Sequence, residues 1–557
     1  MKSKAINAFH ILLVVGLAWG LGYSVARGQE GPSSPADPSR WTPETGFSYQ
    51  GSLKQSGSAV NANCDFQFGL WDAQSLGTQV GVTQTLTSQS VANGLFNVKL
   101  NGGSEFGANP FNSSPRWLAI AVRCPVSSGS YASLSPQELN AAPYALSAPW
   151  SGISGKPSNT LIVAKSGGDF NTITAALDSI TAASDTNRYL VKVMPGVYTE
   201  TLWMKAYVDI EGSGELATKI TYWGFNDTAN GTLRGVNNAE VRFLTVANTG
   251  QAGSGNAIAI YNGVASPRLT HITVSAAGGA SNYGVYNSNS SPAMTNVIAN
   301  ATGGANSYGV YNNFSSAPAM TNVTASVSGG TNNYGVYNTN ASAAVMTNVT
   351  ASGSGGTNSY GVYNLSSAPA MTNVAASASD GDNNYGVYNF TSSPAMTKVT
   401  ASASAGINVY GVYNYSSSPA MTNVIASAAG RTSSYGVYNS FSSPAMTNVT
   451  ASATGDASNY GVYNSSCAAL VINNSVLRGS GGLNNYGLYN DNTIGVSKVS
   501  VNNSQITGSS NTIYNTTPFK TYVGATLLEG GIVSNAGTLT CVGVYSGSYL
   551  ALNATCQ

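Results

Sequence analysis

Charged residues make up only 8% of the 557-residue chain, 22 basic against 21 acidic. No field of one sign is available to hold a polyanion, which argues against a nucleic-acid partner. Histidine is nearly missing. Of the two present, His10 sits in an N-terminal leader and His271, in "RLTHITV", has no evident triad partner and is pointed outward by strand alternation. After the leader no segment is apolar enough to cross a bilayer. What the chain does have is glycine, 63 residues, together with a 42% hydrophobic share. That share is too high for a disordered chain, and the length calls for two or more domains or a repeat array.

"MKSKAINAFHILLVVGLAWGLGYSVA" places Lys2 and Lys4 before an apolar run from Phe9 to Leu21, with Ser24 and Ala26 preceding Arg27. This pattern predicts a secretory signal peptide over 1–26, and so a secreted or cell-surface protein; an uncleaved anchor is the alternative. Residues 27–40 then read as a Pro- and Ser-rich linker. In an exported chain the five cysteines predict pairing within the terminal modules, Cys64 with Cys124 and Cys541 with Cys556. Cys467 is left over as a small apolar core residue.

From 41 to 148, short apolar runs alternate with Gly, Asn and Ser turns. The period-two placement of Phe66, Phe68 and Leu70, and of Leu118, Ile120 and Val122, predicts an antiparallel β-module resembling a small sandwich. With "FSYQGSL" near its start and "SPQELNAAPYALSA" at its end, this stretch resembles a module of exported proteins of environmental bacteria. The resemblance implies a surface module and no chemistry. A second linker follows over 149–160.

"LIVAKSGGDFNTITAALDSI" reads as a strand, a turn at Gly167-Gly168 and a helix with Ile173, Ala176, Leu177 and Ile180 on one face, with Asp169 as its expected cap. Short strands follow in "RYLVKVMPGVYTETLWMKAYVDIEGSG". Through "GDFNTITAAL" and "VMPGVYTE" the segment 161–257 resembles the N-terminal end of pectinesterases and related pectin lyase-like proteins, in which a short helix caps a right-handed parallel β-helix. The active-site segments of pectinesterases do not occur in this chain, so the resemblance implies the fold and transfers no catalytic residue.

Between Tyr283 and Asn464 the motif "YGVYN" occurs eight times, and degenerate copies extend the array over 258–515 to eleven units. "SPAMTNV" recurs between them, with Met at 294, 320, 346, 371, 396, 421 and 446. A period near 25 filled with β-branched residues, Gly, Ser and Asn fits one turn of a parallel β-helix, a single-stranded solenoid. Residues 516–557 form its C-terminal coils and a disulfide-closed tail.

Alternation from Ile258 and Ile260 predicts the first Tyr and the Val of each motif facing the core or its edge, the second Tyr outward, and Asn as an amide ladder. The outward column, Tyr286, Tyr311, Tyr337, Tyr363, Tyr388, Tyr413, Tyr438 and Tyr463, is the candidate carbohydrate-binding stripe, the alternative being a purely structural stack. The Thr after Val (Thr324, Thr350, Thr400, Thr450) gives way to Ile298, Ala375 and Ile425, which is too irregular for an ice-binding face.

Catalysis on polysaccharides calls for clustered carboxylates. The array has few, and Asp380 with Asp382, a weak Ca²⁺ candidate, sits in a variable turn better read as solvated. A loose set, Asp209, Glu211, Glu215, Asp227 and Glu240, lies before the array. No catalytic residue, metal or other cofactor is assigned. The sequence leads to a secreted or surface structural and adhesive β-helix with a polysaccharide or cell-envelope glycan as partner. The alternative is a carbohydrate-active enzyme of the pectin lyase-like superfamily, of pectinesterase, lyase or hydrolase type. No oligomeric state follows from it.

Overall fold

The computed structural model describes residues 9–11, 46–107, 110, 116–139, 159–225, 230–251, 255–491 and 497–557. Apart from a three-residue strand at Phe9–Ile11, the predicted leader and the 27–40 linker lie outside these residues, as does most of the 149–160 linker and Asp227. The chain divides into two compact units, Met1–Leu146 and Ser147–Gln557.

The first unit is antiparallel β. Phe47–Gln55 pairs with Leu95–Leu100, and Ala62–Trp71 lies between Gln79–Val91 and Trp117–Arg123. Phe66, Phe68 and Leu70 meet Leu118, Ile120 and Val122 in a core where these six residues are exposed by no more than 2%. A Cys64–Cys124 disulfide ties the central strand to the end of its neighbour. Beside it, buried Asp65 accepts from the Ser88 and Ser127 amides and pairs with Arg123 at 2.8 Å.

The second unit is a parallel β-helix. A continuous 38-stranded sheet winds from Thr160 to Ser546, each strand pairing in parallel with its equivalent one coil later. The coil beginning at Asn306 is representative. Its three segments, Asn306–Asn313, Ala319–Thr321 and Thr324–Ser328, bury Val310, Met320 and Ala325, and Val323 is buried at the corner between the last two. The Met and Val of "AMTNV" are core in every coil and the residue after Val faces outward; Met and Val lie three apart, so both reach the core because a left-handed corner at the Asn between them interrupts the alternation.

A helix over Ile173–Ser179 closes the N-terminal end, burying Ile173, Ala176 and Leu177. Its cap is Thr172, whose Oγ1 accepts from the Ala175 amide, while the Glu200 carboxylate accepts from the amides of Ile173 and Thr174 at 2.9 and 2.8 Å. Asp169 was expected in that role. It instead turns back to accept from the Ile162 amide at 2.7 Å, because the Gly167–Gly168 turn folds it over the first strand. A Cys541–Cys556 disulfide closes the C-terminal end.

Two asparagine ladders hold the coils in register. The motif Asn faces inward beside the turn after its strand, and each Nδ2 from Asn262 to Asn490 donates to the Oδ1 of the next at 2.7–3.2 Å. Asn296, Asn322, Asn348 and Asn373 and, beyond Lys398 at the same corner, Asn423 and Asn448 form a second column where φ is 53–54°. That left-handed conformation suits Asn, and these side chains too bond from coil to coil. His271 begins this column, at φ 49°, with Nε2 against Asn296 at 2.8 Å and its ring stacked on Phe243. It is a corner residue and not a regular outward strand position.

Candidate functional site

The predicted outward column, Tyr286 through Tyr463, lies on the outer face of the helix, but it does not stand there alone. The first tyrosines of the motif, Tyr283, Tyr308, Tyr334, Tyr360, Tyr385, Tyr410, Tyr435, Tyr460 and Tyr486, expected at the core or its edge, form a second outer column beside it. The reason is the glycine. In each motif Gly and Val are both buried in succession while both tyrosines remain largely half-buried, so strict alternation fails there. A Cβ on Gly411 would lie 2.6 Å from the Ser427 amide nitrogen and 2.6 Å from the Gly436 carbonyl. The facing strand comes so close that no side chain fits, and the slip sends the preceding Tyr outward.

Within the first column, adjacent rings lie 4.8–5.0 Å apart between centroids with planes within 7°. Within the second, spacing is 4.6–5.4 Å. The columns also touch each other, with Tyr334 and Tyr337 5.0 Å apart and Tyr410 and Tyr413 likewise. Rings at this spacing must lean over to bring their faces into van der Waals contact. The lean of the second column shifts over its first coils, Tyr286 and Tyr311 crossing at 60° and Tyr311 and Tyr337 at 37°, and turns sharply again further on. Tyr360 and Tyr363 are 15° from parallel, whereas Tyr410 and Tyr413 are perpendicular, and the break falls between Tyr388 and Tyr413, whose planes cross at 65°. The stacked pair Phe390 and Tyr415 flanks the same two coils.

This packing has a chemical consequence. Ring faces are occupied by the rings above and below, so a ligand meets these columns at their edges and not on open faces. Burial pushes the phenols of Tyr385, Tyr413 and Tyr438 up to about 12, with neighbouring tyrosines adding to it for the latter two.

The loose acidic set is drawn together by the coil geometry with cations that the sequence reading passed over. On the outer face of the first coils, Lys192, Glu211, Arg242 and Thr270 lie in register, as do Asp209, Glu240 and Arg268 beside them. Arg242 bonds Glu211 at 2.7 Å and Glu240 at 2.9 Å, Lys192 bonds Glu211, and Arg188 bonds Asp209 at 2.9 Å. Burial works to raise the Glu211 carboxyl, but hydrogen bonds from Lys192 and Arg242 overcome it and leave the group below its ordinary range. Arg188, Asp209, Asn238, Glu240, Ser266 and Arg268 line a groove of about 480 Å³ there. Glu215 lies apart from these pairs and accepts from Thr273. The signal was readable only with the coil period in hand, because register partners lie 19 to 31 residues apart.

Asp380 and Asp382 are exposed in their turn, Asp380 accepting from Ser379 at 2.7 Å. Among the described residues no group of three or more His, Cys, Asp or Glu is disposed to hold a metal ion. Cys467 is fully buried, and its thiol is pushed up to about 12 by that burial.

A sequence profile for a domain of unknown function, DUF8740, matches residues 48–137, within the first unit. No curated protein matches the chain. Solved structures similar to it include a pectin methylesterase from carrot, at 14% identity and a TM-score of 0.24, covering 56% of this chain and 84% of that one. Another is the A-module of the Azotobacter vinelandii mannuronan C-5 epimerase AlgE6, at 13% and 0.32, covering 67% and 94%. A third is the catalytic unit of a GH87 α-1,3-glucanase from Streptomyces thermodiastaticus, at 12% and 0.31, covering 90% and 88%. Likenesses of this size transfer neither activity nor residue roles.

Proposed function

We propose that the chain is a secreted or cell-surface structural and adhesive β-helix that holds polysaccharide along its outer tyrosine columns without turning it over. The observation that carries this reading is the unbroken stack of side chains from coil to coil, Asn inside and Tyr outside, on a face with almost no carboxylates. Such a face suits repeated weak contacts with a repeating polymer. Because ring edges face out, the contact is made by phenol hydroxyls and ring edges, with Asn, Ser and Thr beside them, and not by sugar rings lying flat on aromatic faces.

The enzyme reading is favoured by one observation, the groove lined by Asp209 and Glu240 with Glu211 in the neighbouring row. Its acids are already engaged by Arg188, Lys192 and Arg242, and a Glu211 carboxyl held below its ordinary range is a poor proton donor. Affinity electrophoresis through gels containing pectin, alginate or α-glucan tests the binding reading. Tyr388→Phe with Tyr413→Phe keeps the stack and is expected to abolish retardation; an unchanged mobility shift overturns adhesion through these columns. Release of methanol, reducing ends or unsaturated product from any of the three polymers overturns the non-catalytic reading.

A further inference from the structure

We propose that the two tyrosine columns form a one-electron relay that gathers an oxidising equivalent arriving anywhere on the array and settles it at Tyr463, with Asp491 taking the phenolic proton. Three observations lead there. From Tyr283 to Tyr489 every ring contacts its neighbours within its column and across to the other, at centroid distances of 4.8–5.9 Å, so an electron vacancy meets no gap. All seven tryptophans precede the array, which leaves phenol as its readily oxidised aromatic group. Finally, a phenol that loses an electron must shed its proton. Among the described residues between Tyr283 and Tyr489, Tyr463 is the phenol with a carboxylate acceptor: its Oη donates to Asp491 Oδ2 at 3.3 Å, and Thr516 Oγ1 donates to the other oxygen at 3.4 Å.

The balance is simple. An external one-electron oxidant removes an electron from any ring of the columns. The vacancy passes between stacked rings, each handing on one electron, until Tyr463 gives up its electron and transfers its proton to the Asp491 carboxylate. The products are a neutral tyrosyl radical and a protonated Asp491. A one-electron reductant returns the electron, and Asp491 returns the proton. Cys467, the free thiol nearby in sequence, has backbone groups of Asn439, Ser442 and Ser465 as its hydrogen-bond partners and, among the described residues, no carboxylate or imidazole bonded to it.

The test is flash oxidation of the full chain by photogenerated ruthenium(III) polypyridyl, with a nitroso spin trap and peptide mass spectrometry to locate the radical. In the wild-type protein the adduct is expected to concentrate at Tyr463. Asp491→Asn, with far-ultraviolet circular dichroism confirming the fold, should drop the Tyr463 share to that of its neighbours. Tyr463→Phe keeps the ring in the stack and should scatter adducts along both columns. Adducts distributed in the wild type according to exposure alone, concentration at Cys467, or an unchanged Tyr463 share in Asp491→Asn would each overturn the relay.

Discussion

Asn414 accepts from Asn389 and donates to Asn439, both at 2.8 Å, in a fully buried position. Replacing it with Ala strands one donor and one acceptor inside the coil, and each unsatisfied group costs about 1–3 kcal/mol. Asn414→Ala is therefore expected to lower stability by at least that much in urea unfolding, whereas exposed Thr400→Ala should change it little. Gly411→Ala should be worse than either, because its Cβ would meet three backbone atoms at 2.6–2.8 Å, none of which can yield alone. The role of the Asn was legible from sequence because an invariant amide in a repeat must find a partner on every level. The placement of Tyr410 was not. It depends on the glycine that follows it, and period-two reasoning carries no term for the distance to a facing strand.

At the scale of elements, the ends differ from the body. The tail from Cys541 to Cys556 closes a loop with a sequence separation of 15 residues. In the chain-entropy account a loop of this length contributes about 3 kcal/mol. Cys541→Ser with Cys556→Ser should accordingly raise amide exchange in the coils after residue 515 while leaving those around Tyr388 protected. Cys467 offers a complementary probe. Burial raises its thiol to about 12, so alkylation by iodoacetamide at neutral pH is expected only after denaturation. The N-terminal helix was legible from its apolar face, but its capping was not. Glu200 reaches back from 26 and 27 residues away to hold the first amides, a contact that only the folded coil creates.

For the whole molecule, each coil contacts mainly the next, so stability should behave as a sum over coils and interfaces. Deleting 383–407, one full period in the register Asn383↔Asn408, should leave a folded, shorter rod, whereas deleting half of that span should not. Alkali acts on the array as one body. Phenols in the unfolded chain release protons near 10, while those of Tyr385, Tyr413, Tyr438 and Tyr460 hold theirs to about 12. Between those values the unfolded state binds fewer protons, so their contribution is fully present below about pH 10 and is lost as pH rises toward 12. Phenolate absorbance should therefore rise late and together with loss of β-sheet signal. The solenoid was legible at this scale because its period is written in the sequence. The charged rows on Glu211 and Glu240 were not, since they exist only once that period is wound.

The change of lean between Tyr388 and Tyr413 has an optical meaning. Stacked phenols are coupled transition dipoles, and their mutual orientation sets the sign and shape of the near-ultraviolet circular dichroism. Before the break the paired rings of the two columns are 15–43° from parallel, after it they are close to perpendicular. A single chain thus joins two chromophore arrays with different exciton patterns, separated by one coil boundary. Anything that moves the boundary by a coil, a bound polymer included, would rewrite that spectrum while leaving the backbone signal untouched.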